Sequence, residues 1–213
     1  MNELYTFTSE ERSLLKTISE AYYMSPVLAR INNIFNDLTP DKYPDAFDCL
    51  HDIILDANTE VQKILERRKL DGLIADIKQA SKAVVGNIFP YSLIYIFLKN
   101  KEIKNIDRHI YITNKKSSIR GFDEISTIQL GDGERQKPDC DLIIYSYGKN
   151  LEEDKCRGTT NIQESYPKCI ILSLKTSLRE RAAQTYKWKL LLEIASDSGS
   201  KIREKYGITY NIS

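Results

Sequence analysis

The sequence predicts an α/β fold, a mixed sheet flanked by helices and preceded by an N-terminal helical region. Three observations carry this expectation. Apolar residues through the first half recur at three- and four-residue spacing, which marks amphipathic helices. The second half turns to short β-branched and aromatic runs between polar loops, namely Ile110–Thr113, Asp141–Tyr147 and Cys169–Lys175. A helix-like segment from Ser177 to about Ala195 then precedes a last strand-like run, Gly207–Ile212. A crossover of that length usually joins parallel strands. The order is thus helix, strand, strand, strand, helix, strand.

Each element has its own signal. Thr8-Ser9-Glu10-Glu11 starts a helix that carries Leu14, Leu15, Ile18 and Tyr22. Met24-Ser25-Pro26 breaks it, and Pro26 suits the first turn of a helix with Val27, Leu28, Ile31, Ile34 and Phe35. Leu38-Thr39-Pro40-Asp41 reads as a turn. Ala46 to Leu55 gives a short helix, and Asn58 or Thr59 caps a long one through Val61, Ile64, Leu65, Leu70, Leu73 and Ile77. Gly86-Asn87 marks an interruption before Phe89 to Lys99, whose inner side holds Leu93, Ile96 and Phe97. Beyond the first strand, Asn114–Gly121 is a polar loop with three basic residues, and Leu130-Gly131-Asp132-Gly133 is a turn. Leu151 to Lys168 is a long polar loop, and the apolar run Cys169–Lys175 belongs in the sheet centre. The chain has no internal repeat. It divides into a helical region, 1–84, and a core, 85–213.

Composition excludes little. Hydrophobic residues at 41% and charged residues at 29% are ordinary for a soluble globular protein. A net charge of +1 neither demands nor excludes a nucleic acid, since a basic cleft can hide in a neutral total. Cys49, Cys140, Cys156 and Cys169 form no CxxC pair, and His51 and His109 are the only histidines, which argues against structural zinc. The cysteines read as reduced thiols of a cytosolic protein. Met1–Thr6 is not followed by an apolar signal segment. Ile88–Leu98, the longest apolar stretch, is too short to span a membrane and reads as a core helix.

Two places carry chemistry. Lys137-Pro138-Asp139-Cys140-Asp141 leads into one strand, and Ser173-Leu174-Lys175-Thr176-Ser177 leaves the next. A carboxylate at one strand's start and a lysine at its neighbour's end can meet at one sheet edge. Strand alternation turns Asp139 and Asp141 to one face, and likewise Ser173 and Lys175. Paired carboxylates bind a hard divalent cation, and a lysine beside it can position or deprotonate water. Taken singly, a Pro-Asp is common in turns and a strand-terminal lysine is most often solvated. Their order and placement on neighbouring strands make the pair informative.

KPDCDLII followed by CIILSLKTSLRER resembles the PD-(D/E)XK nuclease signature, from about Val85 to the C-terminus, and most of all type II restriction endonucleases. The resemblance implies a restriction-endonuclease-like core of order αβββαβ. It implies Mg²⁺-dependent, sequence-specific hydrolysis of double-stranded DNA by a homodimer in the prokaryotic cytoplasm, with no membrane partner. Asp139 matches the motif's aspartate, with Asp141 as its competitor, and Lys175 matches the lysine. Ser173 replaces the acidic residue two positions before that lysine. In some such enzymes the following helix supplies the missing carboxylate, which here points to Glu180. Ser177-Leu178-Arg179-Glu180 equally fits a capping box, so both readings of Glu180 stand. Gln184, one turn on, matches a glutamine that some members carry, with Tyr186 or Trp188 as the aromatic beyond it; Trp188 reads better as packing. Residues suited to DNA contact are Lys115, Lys116, Ser118 and Arg120 in the polar loop, read as close to the site, and Lys137, Thr176, Ser177, Arg179, Arg181 and Gln184. The alternatives are a repair or junction-resolving nuclease of this superfamily, or a non-catalytic DNA-binding module, which Ser173 keeps open.

Overall fold

The computed structural model describes residues 7–137, 140–147, 167–174, 182–197, 199 and 201–210. The chain divides into two compact units, Met1–Ile112 and Thr113–Ser213.

The first unit is helical. Helix α1 (Ser9–Glu20) opens with a capping box between Thr8 and Glu11 and buries Leu14 and Ile18. Helix α2 (Ser25–Asp37) takes Pro26 in its first turn, where a missing N–H costs nothing. A 3₁₀ helix (Pro40–Phe47) and helix α3 (Leu50–Leu70) replace the expected turn, short helix and capped long helix. The break expected at Asn58 or Thr59 is absent. Leu50, Ile53, Ala57, Val61 and Leu65 form one unbroken buried stripe, and Asn58 and Thr59 lie on its exposed side. Gly72, at φ 70°, ends the helix, and the Leu73 N–H donates to the Arg68 carbonyl at 2.8 Å. Leu73 therefore belongs to the turn, and Ile77 to the next helix.

Helix α4 (Ile77–Glu102) starts with Asp76 as its cap and runs through both Gly86-Asn87 and Pro90, so the expected interruption is also absent. A proline inside a helix costs roughly 3 kcal/mol, partly because its ring presses on the carbonyl four residues back. Here that residue is Gly86, the most adaptable type, with open space around its Cα. The helix buries Ile94, Ile96, Phe97 and Leu98, each worth roughly 1.5–3 kcal/mol, which outweighs the proline. The expected division between residues 84 and 85 falls within α4. At 26 residues α4 is long and apolar enough, by length and composition, to cross a membrane, unlike the shorter stretch read from sequence. In this fold it packs on α1, α2 and α3. Near its end Lys101 Nζ meets Glu11 Oε1 at 2.7 Å, with both side chains 1% exposed. The other Glu11 oxygen accepts the Thr8 N–H, and the Lys101 ammonium lies 4.5 Å from the centroid of the Tyr111 ring. Pairing of this quality is what makes two dry charges tolerable.

Strand β1 (Tyr111–Thr113) spans the junction of the units. The second unit continues with α5 (Phe122–Ser126), β2 (Ile128–Gln129), β3 (Arg135–Gln136), β4 (Leu142–Ser146), β5 (Lys168–Leu172), α6 (Ala182–Ser196), α7 (Lys201–Lys205) and β6 (Thr209–Tyr210). The described strands form two sheets, β1-β4-β5 and β3-β2-β6. This mixture of helices and small sheets is compatible with an α/β restriction-endonuclease-like fold. Two expectations need correction. The connection through α6 does not join parallel strands of one sheet, because β6 pairs antiparallel with β2 in the second sheet. A core of Ile128, Ala195 and Ile208, with Trp188 and Leu192 against it, draws β6 there. And β5 is the edge of its described sheet, with Ile170 59% exposed, while β4 is central and buries Leu142 and Ile143. A strand with neighbours on both sides has its apolar run covered, and an edge strand does not.

The β2–β3 turn meets Gly207 closely. The Gly131 N–H donates to the Tyr206 carbonyl at 2.9 Å. A Cβ on Gly131 would stand 2.5 Å from that oxygen, and Gly207 itself has φ 57°. Both positions thus require glycine.

Candidate active site

Strands β4 and β5 pair antiparallel, from Leu142 opposite Leu172 to Ser146 opposite Lys168. The start of β4 and the end of β5 therefore share one sheet edge. There the Asp141 N–H donates to the Leu172 carbonyl at 3.0 Å. The Leu174 N–H donates to Asp141 Oδ2 at 2.7 Å. The carboxylate thus reaches the residue that immediately precedes Lys175 in the chain. A short bond from an amide fixes a carboxylate's orientation. A carboxylate has about four lone-pair sites, so it can accept such a bond and still ligate a hard cation. Asp141 and Ser173 are both half-buried, so the edge combines restricted solvent with access.

Asp139, Lys175, Thr176, Ser177, Arg179, Glu180 and Arg181 lie outside the described residues. Gln184 falls near the start of α6. Trp188 packs against the Ile128 core, as its packing reading requires, and Tyr186 is exposed. Among the described residues no three His, Cys, Asp or Glu side chains cluster to hold a metal ion. Cys49, Cys140 and Cys169 form no disulfide, and Cys156 lies outside the described residues. Burial, and secondarily Cys140, pushes the Cys169 thiol up to about 11, which keeps it neutral.

The polar loop is tied at Arg120 to the residue that follows β4. Lys116–Ser118 form a 3₁₀ turn with Lys115, Lys116 and Arg120 exposed, while Ile119 and Phe122 anchor it in the interior. The Arg120 N–H donates to the Tyr147 hydroxyl at 3.0 Å. Tyr147 follows the last residue of β4, six positions beyond Asp141. At strand rise the Cα of Tyr147 is about 20 Å along the strand from that of Asp141. Lys137, also expected to contact DNA, pairs with Asp123 at 2.8 Å. Exposed pairs of this kind are worth roughly 0–1 kcal/mol, so a phosphate can replace the carboxylate. Tyr147 has no counterpart in the sequence reading, since an aromatic at a strand's end signals nothing about a partner 27 residues away.

Residues 102–210, just over half the chain, match the family model described as BsaWI restriction endonuclease type 2. The matched stretch includes the β4–β5 edge and the polar loop. No curated protein and no solved structure matches the chain.

Proposed function

The chain belongs to the BsaWI restriction endonuclease type 2 family, and from that premise we propose that it is a Mg²⁺-dependent, sequence-specific endonuclease of the PD-(D/E)XK type that hydrolyses phosphodiester bonds in double-stranded DNA. The family places the chain among nucleases acting on DNA. The observation that carries the finer reading is the Leu174–Asp141 hydrogen bond, which sets a carboxylate beside the chain leading to Lys175.

The donor chemistry fits a hard cation. Asp141 offers oriented oxygen, Asp139 is two residues before it, and Ser173 is too weak a ligand to replace a carboxylate. Glu180 is the side chain proposed to fill that gap. A magnesium ion bound by these groups would polarise the phosphate and favour hydroxide at neutral pH. Lys175 orients the attacking water, takes up its proton or balances the charge gathering on the phosphate. Lys137, Thr176, Ser177, Arg179, Arg181 and Gln184, with Lys115, Lys116, Ser118 and Arg120 of the polar loop, hold the DNA. A two-fold homodimer would give each strand of a palindrome its own active site. The reading places the enzyme in the prokaryotic cytoplasm, beside the DNA it cuts.

Ser173 at the position of the usual acid favours one second reading, a DNA-binding module without catalysis. Phage DNA incubated with Mg²⁺ decides between them, beside Lys175→Ala and an EDTA control. Discrete fragments that vanish in both controls support the enzyme. A smear points to a non-specific or structure-selective nuclease. Intact DNA with folded protein sinks the nuclease and leaves the binding module.

A further inference from the structure

A tyrosine hydroxyl at the exit of β4 ties the polar loop to that strand. Arg120 donates its backbone N–H to the Tyr147 hydroxyl at 3.0 Å. The Tyr147 ring meets the ring of Tyr145 edge-on, with centroids 5.7 Å apart, and Tyr145 is buried in β4. Positions 145 and 147 share a strand face, so the buried ring braces the outer one. On the loop side, Ile119 and Phe122 are buried on either side of Gly121, which has φ 75°. The loop is thus fixed on both flanks, while Lys115 and Lys116 stand exposed on it.

We propose that Tyr147 is a positioning residue, which holds the Lys115–Gly121 loop as a phosphate-contacting arm through the Arg120 backbone. The inference rests on the reading of this chain as a DNA nuclease. Two lysines on a preset loop neutralise phosphates without first spending binding energy on ordering the loop. The arm touches the DNA backbone. It sets affinity and register and leaves the bond-breaking step alone.

The test uses the full-length protein, a duplex carrying its cleavage site, and three variants: Tyr147→Phe, Lys115→Ala/Lys116→Ala, and Asp141→Asn. Tyr147→Phe removes one oxygen and keeps the ring packing. A neutral hydrogen bond is worth about 1 kcal/mol, or about a fivefold change in an equilibrium. Tyr147→Phe should raise KM, and the dissociation constant measured in Ca²⁺, by about three- to fivefold with kcat unchanged. The lysine pair should do the same more strongly, and should lower the slope of log affinity against log salt by about two. Combined with the lysine pair, Tyr147→Phe should add little. Asp141→Asn should show the opposite split, with kcat lost and binding kept. A Tyr147→Phe protein that matches wild type in KM, or that loses kcat instead, overturns the inference and leaves the nuclease reading standing. A folded wild-type chain that neither binds nor cuts duplex DNA overturns both.

Discussion

The helical unit and the sheet-bearing unit treat charge in opposite ways. In the first, Glu11 and Lys101 are withdrawn from water and neutralise each other at 2.7 Å. In the second, Asp141 stays half-exposed and takes its orientation from the Leu174 amide. Lys115, Lys116 and Arg120 likewise remain at the surface, on a loop whose backbone is tied down. A charge that holds structure gains from a dry environment only when a partner meets it there. A charge that must meet a cation or a phosphate has to be reachable, and here backbone hydrogen bonds help to orient the groups that would do so. The difference separates changes that unfold this protein from changes that silence it.

Four measurements break or sharpen that contrast, from the largest effect down. Lys101→Ala leaves the Glu11 carboxylate buried without its cation. It should cost about 3–5 kcal/mol in urea unfolding, and the folded fraction should still cleave DNA. A cost below 1 kcal/mol would show that the dry pair is not a structural clasp. Lys175→Ala should do the reverse, with cleavage falling by about a thousandfold, or ~4 kcal/mol of barrier, and the urea midpoint unmoved.

Thiol chemistry comes next. With the Cys169 thiol pushed from 9.0 to about 11, its thiolate fraction at pH 8 is about a hundredfold below that of an ordinary thiol. Because the shift is upward, the neutral form persists until the pH approaches 11. Iodoacetamide labelling followed by peptide mapping should find Cys169 slow at pH 8 and accelerating through pH 10. Last, Gly131→Ala drives a methyl group against the Tyr206 carbonyl. It should cost about 1–3 kcal/mol, visible as a lower midpoint for the sheet-bearing unit, and should leave kcat near wild type.

These contrasts were legible in the sequence to different depths. The capping box at Thr8 and Glu11, Pro26 in a first turn and the strand at β4 were all visible, because local chemistry alone selects them. The continuity of α3 and α4 was not. Asn58 and Gly86 are genuine local stop signals, overridden by buried stripes that pass straight through them. The second sheet escaped because β2, β3 and β6 are two residues each, too short for alternation to register. Its hairpin did leave a trace in Leu130-Gly131-Asp132-Gly133, a turn between two short polar-apolar runs. At the site, the meeting of two strand ends could be read from their order. The hydrogen bond from Leu174 to Asp141 and the Tyr147 tether could not, since each joins residues far apart in the chain.

The Glu11–Lys101 clasp also sets a clock during synthesis. Its partners are separated by 90 residues, so Glu11 leaves the ribosome long before Lys101 has been added. At roughly 5–20 residues per second, that wait lasts about 5–20 s. For that interval the first helix carries an acid whose destined interior does not yet exist. The nascent helical unit therefore cannot close until the last turn of α4 emerges. A chain cut short before Lys101 would expose an apolar surface with an anion at its centre, a form that chaperones and proteases can recognise as incomplete.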